Sequence, residues 1–285
     1  MIYDYGIVGA GVAGCVCAHE LSRQGKSCVI FEKNLGPTEK VCGGGVSYKA
    51  LRELEDIGID TRPLLLEDTK PVRGHRICAN GIISTKIYKP GSVSLGTQRV
   101  IFDQYLLQCA IGCGAEIRYG TEVTDICGCP VKELVWTAGA KPFPGSLVKG
   151  QSIGYSGQIL AKTALLDDIF HYWYYEMGCR TKYFWAFPIG ENLWNVGVWS
   201  RFPNKELKSD YERCLKEYFL GDIQGGWEYY RVPRGAFLGH VDQRGARYSN
   251  GAGDFAGMCN PQNGGGIIGA VKSAVEFAKS ANIRK

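Results

Sequence analysis

Short apolar runs closed by glycine alternate with amphipathic stretches along much of the chain, a rhythm that predicts strands feeding helices. The first run, Tyr5-Gly6-Ile7-Val8, enters the turn Gly9-Ala10-Gly11-Val12-Ala13-Gly14. A mixed stretch with helical character follows, and then a second strand, Ser27-Cys28-Val29-Ile30-Phe31, closes on Glu32. A helix is expected around 47–57, and short antiparallel strands with Gly or Pro-Gly turns across 72–95. Val100, Tyr105, Leu106, Cys109 and Ala110 place a helical stripe on 99–111, which Gly112 and Gly114 end. Two short strands are expected between 115 and 129, and a third in Lys132-Glu133-Leu134-Val135-Trp136. Alternation in His171–Met177 and in Asn192–Ser200 indicates sheet, and 205–219 reads as a helix. A stripe of Ile267, Ala270, Val271, Ala274, Val275 and Ala278 marks a last helix after a glycine-rich loop.

The opening turn carries chemistry. After a strand and before a helix, Gly9 permits the tight turn, Gly11 leaves room for a diphosphate, and Gly14 allows close helix–sheet packing. The helix N-terminus offers N–H groups to phosphate, and Glu32 stands where a ribose would be bound. These residues alone admit NAD or FAD. The loop 37–50 holds three consecutive glycines, Gly43-Gly44-Gly45, directly after Cys42. Such a run is entropically costly unless the backbone passes close to something or takes positive φ. The C-terminal loop before Ile267 again feeds a helix N-terminus. The two ends of the chain are therefore expected to build one nucleotide-binding domain, 1–70, 96–145 and 241–285. A substrate domain, 71–95 and 146–240, lies between them.

Composition narrows the function classes. A chain of 285 residues buries a substantial core, and its formal charge of +5 includes no basic block interleaved with aromatics, which argues against nucleic acid. No apolar run reaches the length of a membrane span. Asp4 and the glycine turn come too early for a signal peptide, so the twelve cysteines read as reduced thiols in a cytoplasmic protein rather than a disulfide framework. Cys109/Cys113 and Cys127/Cys129 do not extend into a zinc or iron–sulfur pattern. The Gly-x-Ser-x-Gly turn of hydrolases is absent. Of the four histidines, His19 falls in the first helix as a structural residue. His75 and His240 sit at loops or strand ends as minor acid–base candidates.

Five segments together resemble the geranylgeranyl reductase family, a branch of the flavoproteins built like aromatic-ring hydroxylases. They are the opening turn with Glu32, then Lys40-Val41-Cys42-Gly43-Gly44-Gly45, then Arg99-Val100-Ile101-Phe102-Asp103. Next come Tyr183-Phe184-Trp185-Ala186-Phe187-Pro188-Ile189-Gly190, and Gly253-Asp254-Phe255-Ala256-Gly257 with Pro261 and Gly264-Gly265-Gly266-Ile267. The resemblance implies an α/β fold: a Rossmann-like FAD-binding domain of the three-layer ββα type with a reduced, mostly antiparallel α+β substrate domain. It implies FAD as the bound dinucleotide. Arg99 would lie near the diphosphate, Asp254 at the ribityl chain, and the 261–267 turn at the pyrimidine edge of the flavin. Ala13, Lys33, Val123 and the glycines of the 43–45 loop complete the implied cofactor set. Cys42 is placed beside the flavin facing substrate. Tyr183, Trp185 and Phe187 fall on the substrate-cavity side. One family element departs: the usual Ala-Asp-Gly-x-x-Ser stretch is replaced by Thr137-Ala138-Gly139-Ala140-Lys141-Pro142-Phe143-Pro144-Gly145-Ser146.

The expected activity is reduction, or reversible dehydrogenation, of a carbon–carbon bond in a hydrophobic or aromatic small molecule through flavin N5. No second glycine-rich nucleotide fold is present, so NAD(P)H would act as a transient donor, or an electron-transfer protein would replace it. A flavin monooxygenase and a non-catalytic flavin-binding scaffold are the alternatives. Cys42 is either a proton donor or a small thiol where bulk does not fit. The three aromatics either shape a cavity or pack against the nucleotide domain, with Trp194 and Trp199 as less specific companions.

Overall fold

The computed structural model describes residues 2–66, 68–79, 81–124, 128–139, 147–148, 151–160, 163, 165–177, 180–200, 205–219, 222–233, 240–241, 250–260 and 263–283. In chain order its elements are β1 (Tyr3–Val8), α1 (Val12–Arg23), β2 (Cys28–Phe31), β3 (Gly45–Val46), α2 (Tyr48–Asp56), β4 (Thr69–Val72), β5 (Gly74–Ala79), β6 (Ile82–Ile87), β7 (Ser94–Thr97), α3 (Arg99–Gly112), β8 (Glu116–Arg118) and β9 (Val131–Trp136). They continue as β10 (Leu147–Val148), β11 (Gln151–Leu160), β12 (Ile169–Met177), β13 (Arg180–Gly190), β14 (Leu193–Ser200), α4 (Leu207–Tyr218), β15 (Asp222–Pro233), β16 (His240–Val241) and α5 (Ile267–Ile283).

The strand–turn–helix start builds a parallel four-stranded sheet in the order β8-β2-β1-β9. Both faces of its centre are covered, which is why β2 and the ends of β1 and β9 are continuously apolar, whereas the edge strand β8 alternates. On one side Ile7 and Ile30 meet α1, α3 and α5 through Val16, Leu21, Leu106, Val271 and Ala274. Cys15, Cys17 and Ala18 on α1 are fully buried; their small side chains let the helices approach closely. On the other side Val8, Val29, Phe31, Val131 and Trp136 pack with Phe255. Gly251 bridges Trp136 in parallel, so the C-terminal segment returns to the edge of this sheet. The fold is thus mixed α/β with a Rossmann-like sheet, as expected.

The second large element is a seven-stranded sheet, β15-β11-β14-β13-β12-β5-β6, antiparallel at every pairing except β12 with β5. Its strands come from 74–87 and 151–233. Alternation gives it two working faces. One carries Trp173, Phe184, Trp194 and Val198 against α4. The other carries Phe170, Tyr183, Trp185, Phe187 and Trp199. A small sheet, β3-β7-β4, sits between the two large ones.

One expectation changes. Between 115 and 129 only Glu116–Arg118 forms a strand among the described residues. The chain beyond it instead follows the end of β2, with Gly120 N–H donating to Asn34 O (2.8 Å) and Thr121 N–H to Glu32 O (2.9 Å).

One polar contact pins the start of the sheet. The Asp4 carboxylate accepts from Lys132 Nζ (2.7 Å), Ser27 N (2.9 Å) and Ser27 Oγ (2.9 Å), and these donors pull its pKa down to about 2. A carboxyl depressed below its unfolded value of about 3.9 stabilises the fold above that pH, and the contribution is lost as pH falls through the folded value. Asp4→Asn should therefore flatten the fall in unfolding free energy between about pH 4 and pH 2, measured by urea denaturation. An unchanged slope would show that Asp4 does not drive it.

Candidate functional site: a cofactor cleft between two glycine loops

The opening turn is shaped by backbone proximity. Gly9 has φ +104°, in the region open to glycine. A Cβ on Gly14 would overlap the Gly9 carbonyl, whereas one on Gly11 would meet nothing within 4 Å. Gly14 therefore serves packing and Gly11 opens outward. Thr137, at the end of β9, fastens the turn: its Oγ1 donates to Val8 O (2.8 Å). Glu32 accepts from Ala10 N (3.0 Å) and Asn34 N (3.0 Å), which holds its carboxylate beside the turn.

The cleft in front of this turn is lined by Gly11, Val12, Ala13, Lys40, Cys42, Arg99, Thr137, Gly139, Gly253, Asp254, Gly264, Gly266, Ile267 and Ala270. Arg99 is 4% exposed and makes a bidentate pair with Asp103, Nε–Oδ1 2.9 Å and Nη2–Oδ2 2.7 Å. Burial opposes its charge, but Asp103 and then Cys42 outweigh this and hold its pKa well above the ordinary value. The helix start that carries Arg99 is capped from far upstream: Glu39 accepts from Arg99 N and Val100 N, both at 3.0 Å. Lys40 reaches Asp254 across the cleft at 3.7 Å.

Behind the loops that carry Cys42 and Asn263 lies the aromatic face of the seven-stranded sheet. Asn195 Nδ2 donates to the Cys42 carbonyl (2.8 Å), and Asn195 Oδ1 accepts from Trp185 Nε1 (2.9 Å). Tyr183 Oη donates to Asn263 O (2.6 Å). Phe187 lies 2.9 Å from a Cβ built on Gly43 and 3.1 Å from one on Gly45, while a Cβ on Gly44 (φ +70°) would overlap Thr97 O. Trp199 Nε1 lies 2.9 Å from a Cβ built on Gly264 (φ +69°). Burial pushes the Tyr183 hydroxyl and the Cys259 thiol well up, so both stay neutral.

The structure thus brings Gly11, Ala13, Cys42, Arg99, Asp254, Gly264, Gly266 and Ile267 to one cleft. Gly9 and Gly14 lie behind it, Glu32 beside it, and Lys33 next along is exposed. Gly43 and Gly45 meet the aromatic face, Gly44 meets the Thr97 carbonyl, and Gly265 N–H donates to Asn263 Oδ1 (2.9 Å). Val123 is buried among Val29, Phe31 and Trp136. Tyr183, Trp185 and Phe187 stand as buried packing behind the Cys42 and Asn263 loops. Pro261 lies outside the described residues, as does the side chain of His240. His75, on β5, contacts Tyr88 rather than the cleft (Nδ1–Oη 3.4 Å). Lys40, Thr137 and Asn195 escaped the reading of the chain. Lys40 stood inside the Cys-Gly-Gly-Gly segment, but Asn195 carried no signal within its strand. Among the described residues ten cysteines are free, and no cluster of three or more metal-ligating side chains occurs.

A cradle open at Gly11, a buried guanidinium and Lys40 fit a diphosphate, and Glu32 beside the turn fits a ribose. The family model described as FAD binding domain matches residues 3–127. Over most of its length the chain is similar to menaquinone reductase of Mycolicibacterium smegmatis, 26% identical over 93% of this chain and 72% of that protein. It is also similar to digeranylgeranylglycerophospholipid reductase 2 of Methanococcoides burtonii, 27% identical over 99% and 76%. A geranylgeranyl bacteriochlorophyll reductase-like structure from Thermoplasma acidophilum has the same fold, with a TM-score of 0.78, 22% identity and coverage of 97% of this chain and 77% of that one. The flavin-dependent brominase Bmp2 also shares the fold, with a TM-score of 0.78, 18% identity and coverage of 99% and 79%. The chain is an FAD-binding enzyme of the flavoprotein oxidoreductase superfamily. It is related to the geranylgeranyl and digeranylgeranylglycerophospholipid reductases.

Two outcomes follow from this geometry. Hydrogen bonds to charged groups contribute about 1.5–3 kcal/mol, so Arg99→Leu should weaken FAD binding by about ten- to a hundredfold in a fluorescence titration. Thermal unfolding of the apoprotein serves as the control for folding, and unchanged affinity would remove Arg99 from the site. Asn195→Leu strands two buried groups, the Trp185 indole N–H and the Cys42 carbonyl. At about 1–3 kcal/mol each, it should lower stability by about 2–6 kcal/mol in denaturant titrations. A loss below about 1 kcal/mol would mean that water replaces Asn195.

Proposed function

We propose that this enzyme reduces a carbon–carbon double bond in a hydrophobic, polyprenyl-type molecule, with NAD(P)H or a small electron-transfer protein as transient donor. The observation that carries the reading is the position of Cys42. Cys42 lines the cofactor cleft together with Arg99, while its carbonyl is tied through Asn195 to the aromatic sheet face. A proton-bearing residue is therefore held in the cleft on a loop that the aromatic face backs. The names of two curated relatives, a menaquinone reductase and a digeranylgeranyl lipid reductase, support the same substrate class.

In this reading Gly11, Ala13, Arg99 and Lys40 bind the cofactor diphosphate, Glu32 a ribose, and Asp254 the ribityl chain. The Gly264–Ile267 turn and the start of α5 meet the flavin edge, where backbone donors favour developing negative charge. FAD, when bound and reduced by the donor, would supply the hydride for one carbon of the double bond and return to its oxidised form. Cys42 gives the proton from Sγ to the other carbon and regains one from solvent. Trp185, Tyr183 and Phe187 hold the two loops in place and exclude water from the reacting side.

The test is anaerobic. Enzyme reduced under argon should be reoxidised by a geranylgeranyl-type alkene, giving a product richer by two hydrogens and containing no added oxygen. A product that forms only with O2 and carries an oxygen atom would establish monooxygenation instead. A bound flavin that no donor reduces would leave a scaffold. Cys42→Ser should slow alkene reduction by about a hundredfold or more while leaving reduction by the donor unchanged. Normal turnover of that variant would take the proton transfer away from Cys42.

A further inference from the structure

The free edge of the seven-stranded sheet has a composition that the fold itself does not use. All of β6 is exposed, with Ile82 at 73%, Ile83 at 66% and Ile87 at 51%. Single exposed aliphatics are ordinary on a protein surface, but several on one short strand mark a contact surface. Neighbouring strand positions point to opposite faces, so Ile82 and Ile83 clothe both sides of the hairpin tip. A partner packed on one face would leave the other isoleucine in water, whereas a fluid apolar phase receives both.

The surrounding charge is one-signed. From residue 69 to residue 98 the chain contains Lys70, Arg73, Arg76, Lys86 and Lys89, and no Asp or Glu. Lys70 and Arg73 are paired with Asp167 and Asp168 at the base of the hairpin. Among the described residues Arg76, Lys86 and Lys89 have no carboxylate partner. Arg76 donates only to Thr85 (3.1 Å), across the hairpin. At about 3.3 Å per residue, Lys86 stands about 13 Å behind Ile82 along β6. An apolar tip followed by a basic belt matches the depth order of a bilayer surface, acyl boundary first and anionic headgroups behind. The register also joins this edge to the cofactor side. Ile82 lies opposite Ala79, Ala79 opposite Tyr174, and Tyr174 opposite Tyr183, all on the face that meets the Asn263 loop.

We propose that the β5–β6 hairpin docks the enzyme on an anionic phospholipid bilayer, with Ile82 and Ile83 inserted and Arg76, Lys86 and Lys89 against the phosphates. Only the motive for visiting a membrane, a lipid-soluble substrate, rests on the function proposed above; the docking surface stands without it.

The experiment is co-sedimentation of the FAD-loaded protein with vesicles of phosphatidylcholine alone and of phosphatidylcholine mixed with phosphatidylglycerol. Binding to the mixed vesicles is expected, weakening as salt is raised. Ile82→Ser/Ile83→Ser should abolish it, and Lys86→Glu/Lys89→Glu should reduce it by more than tenfold, with FAD content unchanged in both. Because β6 is exposed throughout, these variants should fold as the parent does, which thermal unfolding checks. Absence of binding to the mixed vesicles, or binding equal in parent and variants, would overturn the proposal. So would a dimer in sedimentation velocity that the isoleucine variant dissolves, since the edge would then pair with a second copy. Reduction of a short, water-soluble alkene by the wild-type enzyme is scored separately. Docking without any alkene reduction would defeat the reductase reading alone, and reduction without docking would defeat this proposal alone.

Discussion

The two halves of this molecule depend on backbone approaching backbone and ring more closely than any side chain allows. A Cβ on Gly96 would overlap the Pro188 carbonyl, and one on Gly44 would overlap that of Thr97. Phe187 fills the space beside Gly43 and Gly45, and Trp199 that beside Gly264. The small sheet, the seven-stranded sheet and the two cofactor loops can therefore meet only where glycine stands. Hydrogen bonds then choose the register within that contact. Asn195 links Trp185 to the Cys42 carbonyl, and Tyr183 reaches the Asn263 carbonyl. The first of these three bonds is buried and the other two are partly buried, which makes leaving them unmade more consequential than their net strength suggests.

The same constraint explains the division of labour in the cleft. The Rossmann-like sheet supplies the anchoring end: an open Gly11, a buried Arg99 clamped by Asp103, and Glu32 held by the turn it faces. The aromatic sheet supplies no polar group to that end. It presses on the loops and thereby fixes where Cys42 and Gly264 stand. A cation without solvent beside a glycine cradle is a site for an anion.

Much of this was legible along the chain because its causes are local. Period-2 and period-3.6 patterns located the strands and helices, including α4 and α5. The GxGxxG turn between a strand and a helix carried its own geometry. Cys42, Arg99 and Asp254 were named from short segments whose order matched that of a known family, and the structure brings all three to one cleft. The glycine triplet was expected to approach something closely. The identity of the partner, Phe187, was not readable, since it lies far off in sequence.

What the sequence determined by itself was the set of elements and the nucleotide turn, because these follow from neighbours within a turn or two; the choice of FAD and of its site residues came from the order of segments that resembles a known family. Tertiary structure alone decided the rest. It moved the strand expected after β8 into a loop along β2, made Glu39 the cap of α3, and turned Asn195 into the bridge between ring and loop. It also left Ile82 and Ile83 at a free sheet edge rather than in a core. Each of these depends on which distant backbone arrives beside a residue, and no local pattern of hydrophobic and polar positions records that arrival.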